Sequence, residues 1–277
     1  IAWGVDLARN PRDPLRPADT TCWLLYPPCM RLGPVLLRRE FLERLDAWKP
    51  SSPVPWKEVG QRFGLFALGV AGLAVVSRNV PLVQAGAPDF FSTPQHYSTG
   101  ELVRVFYLVP IGIYLLLWTY NELAAALALW IGIPVDNNFD WLPRATSVRE
   151  FWRRWHVTLG RWLREYIYIP LGGSRGFVPL HYAAVFGFCA VWHGASWSFV
   201  AWGASQTLAL TVQRWWDQAR EWLGWRGRPT GGWRTLFCWL TTMHFQIATI
   251  VIFVDFDHRA GRLFCELWQR LLTAGSG

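Results

Sequence analysis

From Gly176 to Gln213 the chain runs 38 residues without an Asp, Glu, Lys or Arg. As one α-helix that run would be ~57 Å long at 1.5 Å per residue, about twice the ~30 Å apolar core of a bilayer. It therefore reads as two membrane spans or a hairpin, with a break near Gly194 or Gly203. Thr235–Val254 is a second charge-free run, of 20 residues, long enough for one span. Val105–Asn121 and Leu123–Val135 are shorter runs that meet at Glu122, with Pro110 early in the first. A carboxylate inside the membrane is costly, so Glu122 is expected to face protein or water and not lipid. Phe63–Ser77 is a weaker span whose Gly64, Gly69 and Gly72 suit close helix packing. Thr20–Leu37, with Pro27, Pro28, Gly33 and Pro34, reads as a re-entrant or broken segment.

The buried helices of a large soluble protein are also apolar all round, so composition has to decide. Charged residues supply only 17% of this chain and hydrophobic ones 52%, against about 25% and ~45–50% in soluble proteins. The net charge of +8 does not form a basic stripe for nucleic acid. Its residues sit in short clusters, Arg9–Arg16, Arg38–Arg44, Arg144–Arg164 and Arg214–Arg234, between apolar stretches, as loops between spans do. Period-two alternation is nowhere sustained and no internal repeat is visible, so the expected class is an all-α polytopic membrane protein. We expect one membrane domain over residues 1–277. The opening Ile1 in place of an initiator Met suggests a fragment of a longer chain. Five cysteines without a CxxC suggest neither a disulfide framework nor a zinc site.

Between the runs lies Phe151–Leu171, FWRRWHVTLGRWLREYIYIPL. Drawn as one continuous helix, it gathers Trp152, Trp155, His156, Leu159, Trp162, Leu163, Tyr166 and Ile167 on one arc. Glu150, Arg153, Arg154, Arg161, Arg164 and Glu165 fall on the other. This pattern predicts an amphipathic interfacial helix, begun by an S-x-x-E box at Ser147 and Glu150 and stopped by Pro170 and Gly172-Gly173. Glu150/Arg154 and Arg161/Glu165 are its i,i+4 pairs. His156 falls in the aromatic arc, where an imidazole needs a polar partner. His193, in AVWHGASW, lies deep in the longest charge-free run, and an ionisable residue there marks a candidate functional site. Gly194, Ala195 and Ser196 after it leave room for a backbone or a substrate to approach the ring. Histidine is also the side chain best matched to proton transfer near neutral pH. Among the other histidines, His96, His181 and His258 are read as structural and His244 as a polar contact between helices. The Gly172–Gly176 cluster, without G-K-[ST], is read as a turn.

These motifs in order, FWRRWH, YIPLGG and WHGASW, with Asn138-Phe139 upstream, resemble the membrane-bound O-acyltransferases. The closest similarity is to the bacterial branch that O-acetylates alginate and other exported polysaccharides, related to the D-alanyl transferase of teichoic acids. Tyr26–Leu45 resembles that branch's F-P-x-x-x-x-G-P-I-x-R-x-x-x-F segment, and Val251–Leu271 loosely resembles its C-terminal W-x-x-F-R-A region. LWTYNEL at Leu117–Leu123 and FVDFDHR at Phe253–Arg259 depart from the family pattern. The resemblance covers most of the chain, starting after the family's first spans and stopping before its last.

The resemblance implies a ring of tilted transmembrane helices around a central funnel, in a multi-pass protein of the bacterial cytoplasmic membrane. It maps the family's essential histidine onto His193 and a second active-site histidine onto His156. Trp155, Trp192, Trp197 and Asn138 become candidate substrate-binding residues, the indole N–H groups of Trp155 and Trp192 being possible oxyanion donors. The implied reaction moves an acyl group from a thioester, acetyl-CoA or an acyl carrier, to a hydroxyl, with His193 as general base. No bound cofactor and no metal are expected, and no G-x-S-x-G elbow suggests an acyl-serine. The expected partners are membrane lipid, the acyl donor, and either a polysaccharide acceptor or a periplasmic or extracellular acyltransferase protein. A non-catalytic transporter or polymer-export subunit is the alternative, motivated by Glu122, His244 and the broken spans.

Overall fold

The computed structural model describes residues 17–30, 32–80, 93–194, 196–224, 232–254 and 260–274. Every regular element among them is helical. In chain order these are α1 (Pro17–Leu24), α2 (Arg38–Ala47), α3 (Trp56–Asn79), α4 (Thr99–Ile131), α5 (Val148–Arg154), α6 (Val157–Leu163), a five-residue π-helix (Arg164–Tyr168), α7 (Val178–His193), α8 (Trp197–Trp222), α9 (Gly232–Val254) and α10 (Ala260–Ala274). Three of them, α3, α4 and α9, are long and apolar enough to cross a membrane, and α7 is a shorter apolar helix. Large side chains such as Leu68 in α3 and Phe237 in α9 are more than 60% exposed. Water would penalise a row of such residues, whereas lipid does not.

The charge-free run from Gly176 divides at Gly194, not at Gly203. Gly194 takes φ 144° and ψ 162°, a conformation essentially restricted to glycine. Its N–H closes α7 on the carbonyls of Ala190 and Val191. Ser196 then caps α8 by accepting the Ser198 N–H. Gly203 has another use: a Cβ there would stand 2.9 Å from the Phe186 carbonyl oxygen, so its hydrogen lets α7 and α8 cross closely. Glu122 lies inside a single 33-residue helix, α4, which also holds Pro110. Ser98 and Glu101 start α4 reciprocally, the Glu101 N–H donating to the Ser98 hydroxyl and the Ser98 N–H to the Glu101 carboxylate.

The expected continuous amphipathic helix over Phe151–Leu171 is broken. Helix α5 ends at Arg154, His156 turns into the left-handed region at φ 48°, and α6 restarts at Val157 before tightening is lost in the π-turn. A left-handed residue resets the helical phase, so one wheel cannot describe both halves. Ser147 does accept the Glu150 N–H, but the Glu150 carboxylate takes the N–H and hydroxyl of Thr146. The charges of this segment find distant partners: Arg154 pairs with Asp140, Arg161 with Asp136 and Glu40, and Glu165 with Arg39.

The chain divides into two compact units. The first comprises residues 1–71, 115–142 and 152–174. Its core packs Tyr26, Leu36, Phe41, Ala128 and Ile133, with the Tyr26 hydroxyl donating to the Ile133 carbonyl. Thr20–Leu37 is broken, as its prolines require: α1 gives way to a 3-10 turn at Pro27–Cys29. Glu122 is 4% exposed and accepts from the Arg62 guanidinium at 2.7 Å, and Arg62 also donates to the Asn137 side-chain oxygen. It faces protein, as a carboxylate on an apolar helix must.

The second unit comprises residues 72–114, 143–151 and 175–277. Val80, Tyr97, Leu102, Val105, Val251 and Leu263 form one core cluster. Inside its helix packing lies a fully buried amide: Gln206 of α8 donates to Gln246 and Thr249 of α9 at 3.2 and 2.9 Å. His244 of α9 does form a polar helix contact, its Nε2 lying 2.9 Å from the Tyr107 hydroxyl of α4. His181 is buried within α7 and His96 sits in a 3-10 turn. His258 lies outside the described residues.

Candidate functional site

The two candidate histidines belong to different units, and each has its own surroundings. In the first unit the loop 138–140 straps the break between α5 and α6. The Asn138 carbonyl accepts the Val157 N–H, the Asp140 N–H donates to the Arg154 carbonyl, and the Arg154 guanidinium returns two bonds to Asp140. His156 stands at the apex of this break. Its ring packs at 5.5 Å from Phe139 and 6.3 Å from Trp155, centroid to centroid. The polar partner that the sequence demanded is Asn138, whose amide nitrogen lies 3.1 Å from His156 Nδ1. Trp155 is half-buried with its ring edge-on to Phe139 at 5.4 Å.

Asn138 is fully buried. Its side-chain oxygen accepts the Thr158 N–H at 3.1 Å and the Thr158 hydroxyl at 2.8 Å. The Thr158 oxygen in turn accepts the Val35 N–H at 2.8 Å. The Pro34-Val35 stretch of the Tyr26–Leu45 motif is thereby tied to the histidine through two side chains.

In the second unit His193 is the last residue of α7 and Trp197 the first of α8. Four aromatic rings surround the imidazole. Trp192 and Phe253 each lie 4.7 Å from it, Phe199 5.7 Å and Trp202 5.9 Å, the contacts with Trp192, Phe253 and Trp202 being edge-on. Phe253 also touches Phe199 and Trp202, at 4.9 and 5.2 Å, so α7, α8 and α9 each contribute to one aromatic wall. Gly194 belongs to this wall by necessity, since a Cβ on it would stand 3.0 Å from the Phe199 ring. The imidazole is exposed on its other side. Among the described residues its ring nitrogens have no hydrogen-bond partner, which leaves a lone pair for an incoming proton. Trp192, against the imidazole, and Trp197 are both more than 60% exposed.

The longest charge-free run pointed to His193, the resemblance added Trp192 and Trp197, and the break at Gly194 makes Trp197 the first residue of the next helix. Phe253 was legible only as part of a departing motif, and its place on the histidine was not. Phe199 and Trp202 stand three residues apart and so share one helical face, the one signal that could have found them. Thr158 had no signal of its own, because its partners stand 20 and 123 residues away.

Three apolar helices of membrane-spanning length, with a shorter apolar helix closed by an aromatic-walled histidine, define a helical membrane protein with a candidate proton acceptor. The model of the membrane-bound O-acyltransferase family matches residues 12–254, nearly the whole chain, and the chain belongs to that family. It is similar to a peptidoglycan O-acetyltransferase of Helicobacter pylori, 28% identical over 200 residues, which cover 71% of this chain and 37% of that protein. It is also similar to the probable alginate O-acetylase AlgI of Azotobacter vinelandii, 41% identical over 100 residues, covering 34% of this chain and 20% of that one. A membrane-bound O-acyltransferase of Schizosaccharomyces pombe is 51% identical over 81 residues, covering 29% and 14% respectively. The matched part thus spans well under half the length of each of these relatives.

Proposed function

We propose that this chain carries the catalytic histidine of a membrane O-acyltransferase. The enzyme moves an acetyl group from a cytoplasmic thioester, acetyl-CoA or an acyl carrier, across the bacterial inner membrane to hydroxyls of an exported or cell-envelope polysaccharide. It does so directly or through a periplasmic or extracellular partner protein. The observation that carries the reading is the environment of His193: an exposed imidazole ending an apolar helix, walled by Trp192, Phe199, Trp202 and Phe253, within a chain of this family. The names of the bacterial relatives, one acting on peptidoglycan and one on alginate, favour a carbohydrate hydroxyl as acceptor.

A sugar hydroxyl is a weak nucleophile at neutral pH, so a base must take its proton as the oxygen attacks. His193 accepts that proton while the new C–O bond forms at the thioester carbonyl. The tetrahedral intermediate carries an oxyanion, for which the N–H group of Trp192 is the proposed donor. Collapse breaks the C–S bond, and the leaving thiolate takes the proton back from the imidazolium, which leaves the histidine ready for another cycle. The aromatic wall limits water, the competing acceptor. Trp197 and Trp192 would hold the substrates beside the ring.

Full-length protein reconstituted in lipid vesicles with radiolabelled acetyl-CoA, or acetyl carrier protein, and a soluble oligosaccharide acceptor tests this. The expected outcome is alkali-labile label on the acceptor, reduced ~10²–10⁴-fold by His193→Ala, the range typical of a lost general base. Label that persists unchanged in His193→Ala contradicts the assignment.

A further inference from the structure

The hydrogen bonds around Asn138 determine more than the position of His156. A backbone N–H can only donate, so the Asn138 atom 3.1 Å from the Thr158 nitrogen is the amide oxygen. The Thr158 hydroxyl supports the same orientation. Its oxygen is occupied by the Val35 N–H, and its own hydrogen goes to that same Asn138 oxygen. The atom facing His156 is then the Asn138 NH2 group, which has no lone pair to offer. His156 Nδ1, 3.1 Å away, must accept and is unprotonated, so the proton of the neutral ring sits on Nε2.

We propose that Asn138 is a positioning residue that locks His156 in the neutral Nε2–H tautomer, making it a hydrogen-bond donor in acyl transfer and not a base. Asn138 does this without touching substrate, for it is fully buried and both ends of its amide are engaged. The backbone serves the same end. The left-handed turn at His156 and the strap from Asn138 and Asp140 hold the ring against its amide partner. The Arg154–Asp140 pair is the charged pair on these two segments, and Phe139 and Trp155 supply the ring contacts. The tautomer follows from the geometry alone, whereas the donor role rests on the acyltransferase reading above.

Asn138→Asp separates the two. A carboxylate still accepts both Thr158 hydrogens, so the strap is kept, but it can only accept from His156 and moves the ring proton to Nδ1. The first measurement is nitrogen NMR of full-length protein in nanodiscs with 15N-histidine, the His156 signals assigned by their loss in His156→Gln. The wild type should show Nδ1 unprotonated and Nε2 protonated, and Asn138→Asp the reverse. A protonated Nδ1 in the wild type overturns the proposal whether or not Asn138→Asp folds. The second is acetyl transfer as a function of pH, taken as the ratio of Asn138→Asp to wild type. Transfer should fall ~10²-fold near neutrality, as for a lost oxyanion donor. The ratio should climb as the medium is acidified, because protonating His156 beside the aspartate restores its Nε2–H. A ratio independent of pH contradicts the donor role. Absence of transfer from the wild type, with the expected NMR signals, removes the acyltransferase reading and leaves the tautomer standing.

Discussion

Glu122 shows how one residue is constrained by its surroundings. A carboxylate on an apolar helix is tolerated only with a partner, and Arg62 supplies it, being itself held by Asn137. Glu122→Ala leaves that guanidinium without its counter-charge. Losing one member of a buried pair typically costs ~3–5 kcal/mol, and because Arg62 is about a quarter exposed and partly screened we expect less, ~2–3 kcal/mol. The double replacement Arg62→Met with Glu122→Leu should recover most of the loss, read as the midpoint of thermal unfolding in detergent. Gly69 is constrained by space. A Cβ there would lie 2.0 Å from Thr119 Oγ1 and 2.9 Å from its Cβ. Gly69→Ala should therefore destabilise by ~1–3 kcal/mol, the usual cost of overpacking. Adding Thr119→Ala should restore only part of this, because the second contact remains.

Among the elements, the two helix breaks show what the sequence could and could not reveal. Charge-free length required the long run to divide, and glycine marked both places where it might do so. Both are followed by Ala-Ser, so the local sequence does not separate them: Ser196 caps α8 by accepting the Ser198 N–H, whereas the Ser205 hydroxyl donates back to the Trp202 carbonyl inside α8 and Gly203 is used for a helix crossing. Gly194→Ala should cost ~1–3 kcal/mol in backbone strain, and should also lower acyl transfer, because the strained turn carries His193 and presses on Phe199. Transfer and unfolding midpoint measured on the same preparation check both effects. The break at His156 was hidden. Hydrophobic periodicity assumes an unbroken phase, and the strap that interrupts it comes from 14 to 20 residues upstream. The wheel mistook the helix that bears His156, since Asn138 and Thr158 act through tertiary contacts that periodicity does not record.

At the scale of the molecule, the loop carboxylate Asp136 joins α2 and α6 within the first unit through Arg44 and Arg161. Partial burial alone would raise its pKa, but the two guanidiniums outweigh it and hold the carboxyl below its ordinary value. A lowered folded-state pKa means that Asp136 contributes stability above the unfolded carboxylate pKa of about 3.9 and loses it as the pH falls through the folded value. Asp136→Asn should therefore unfold more readily than wild type at pH 7, and the gap should close on acidification below about pH 4. Thermal melts across that interval test the sign.

The central claim is that His193 is the base of an O-acyl transfer. Its most direct test is to express the full-length protein and its His193→Ala variant in a host lacking the native copy, match their levels in the membrane, and quantify ester-linked acetyl groups on the exported polysaccharide. The account predicts that the variant accumulates normally and that acetylation falls to the level of the deletion. Acetylation that continues at the wild-type level would make His193 a packing residue and contradict the mechanism.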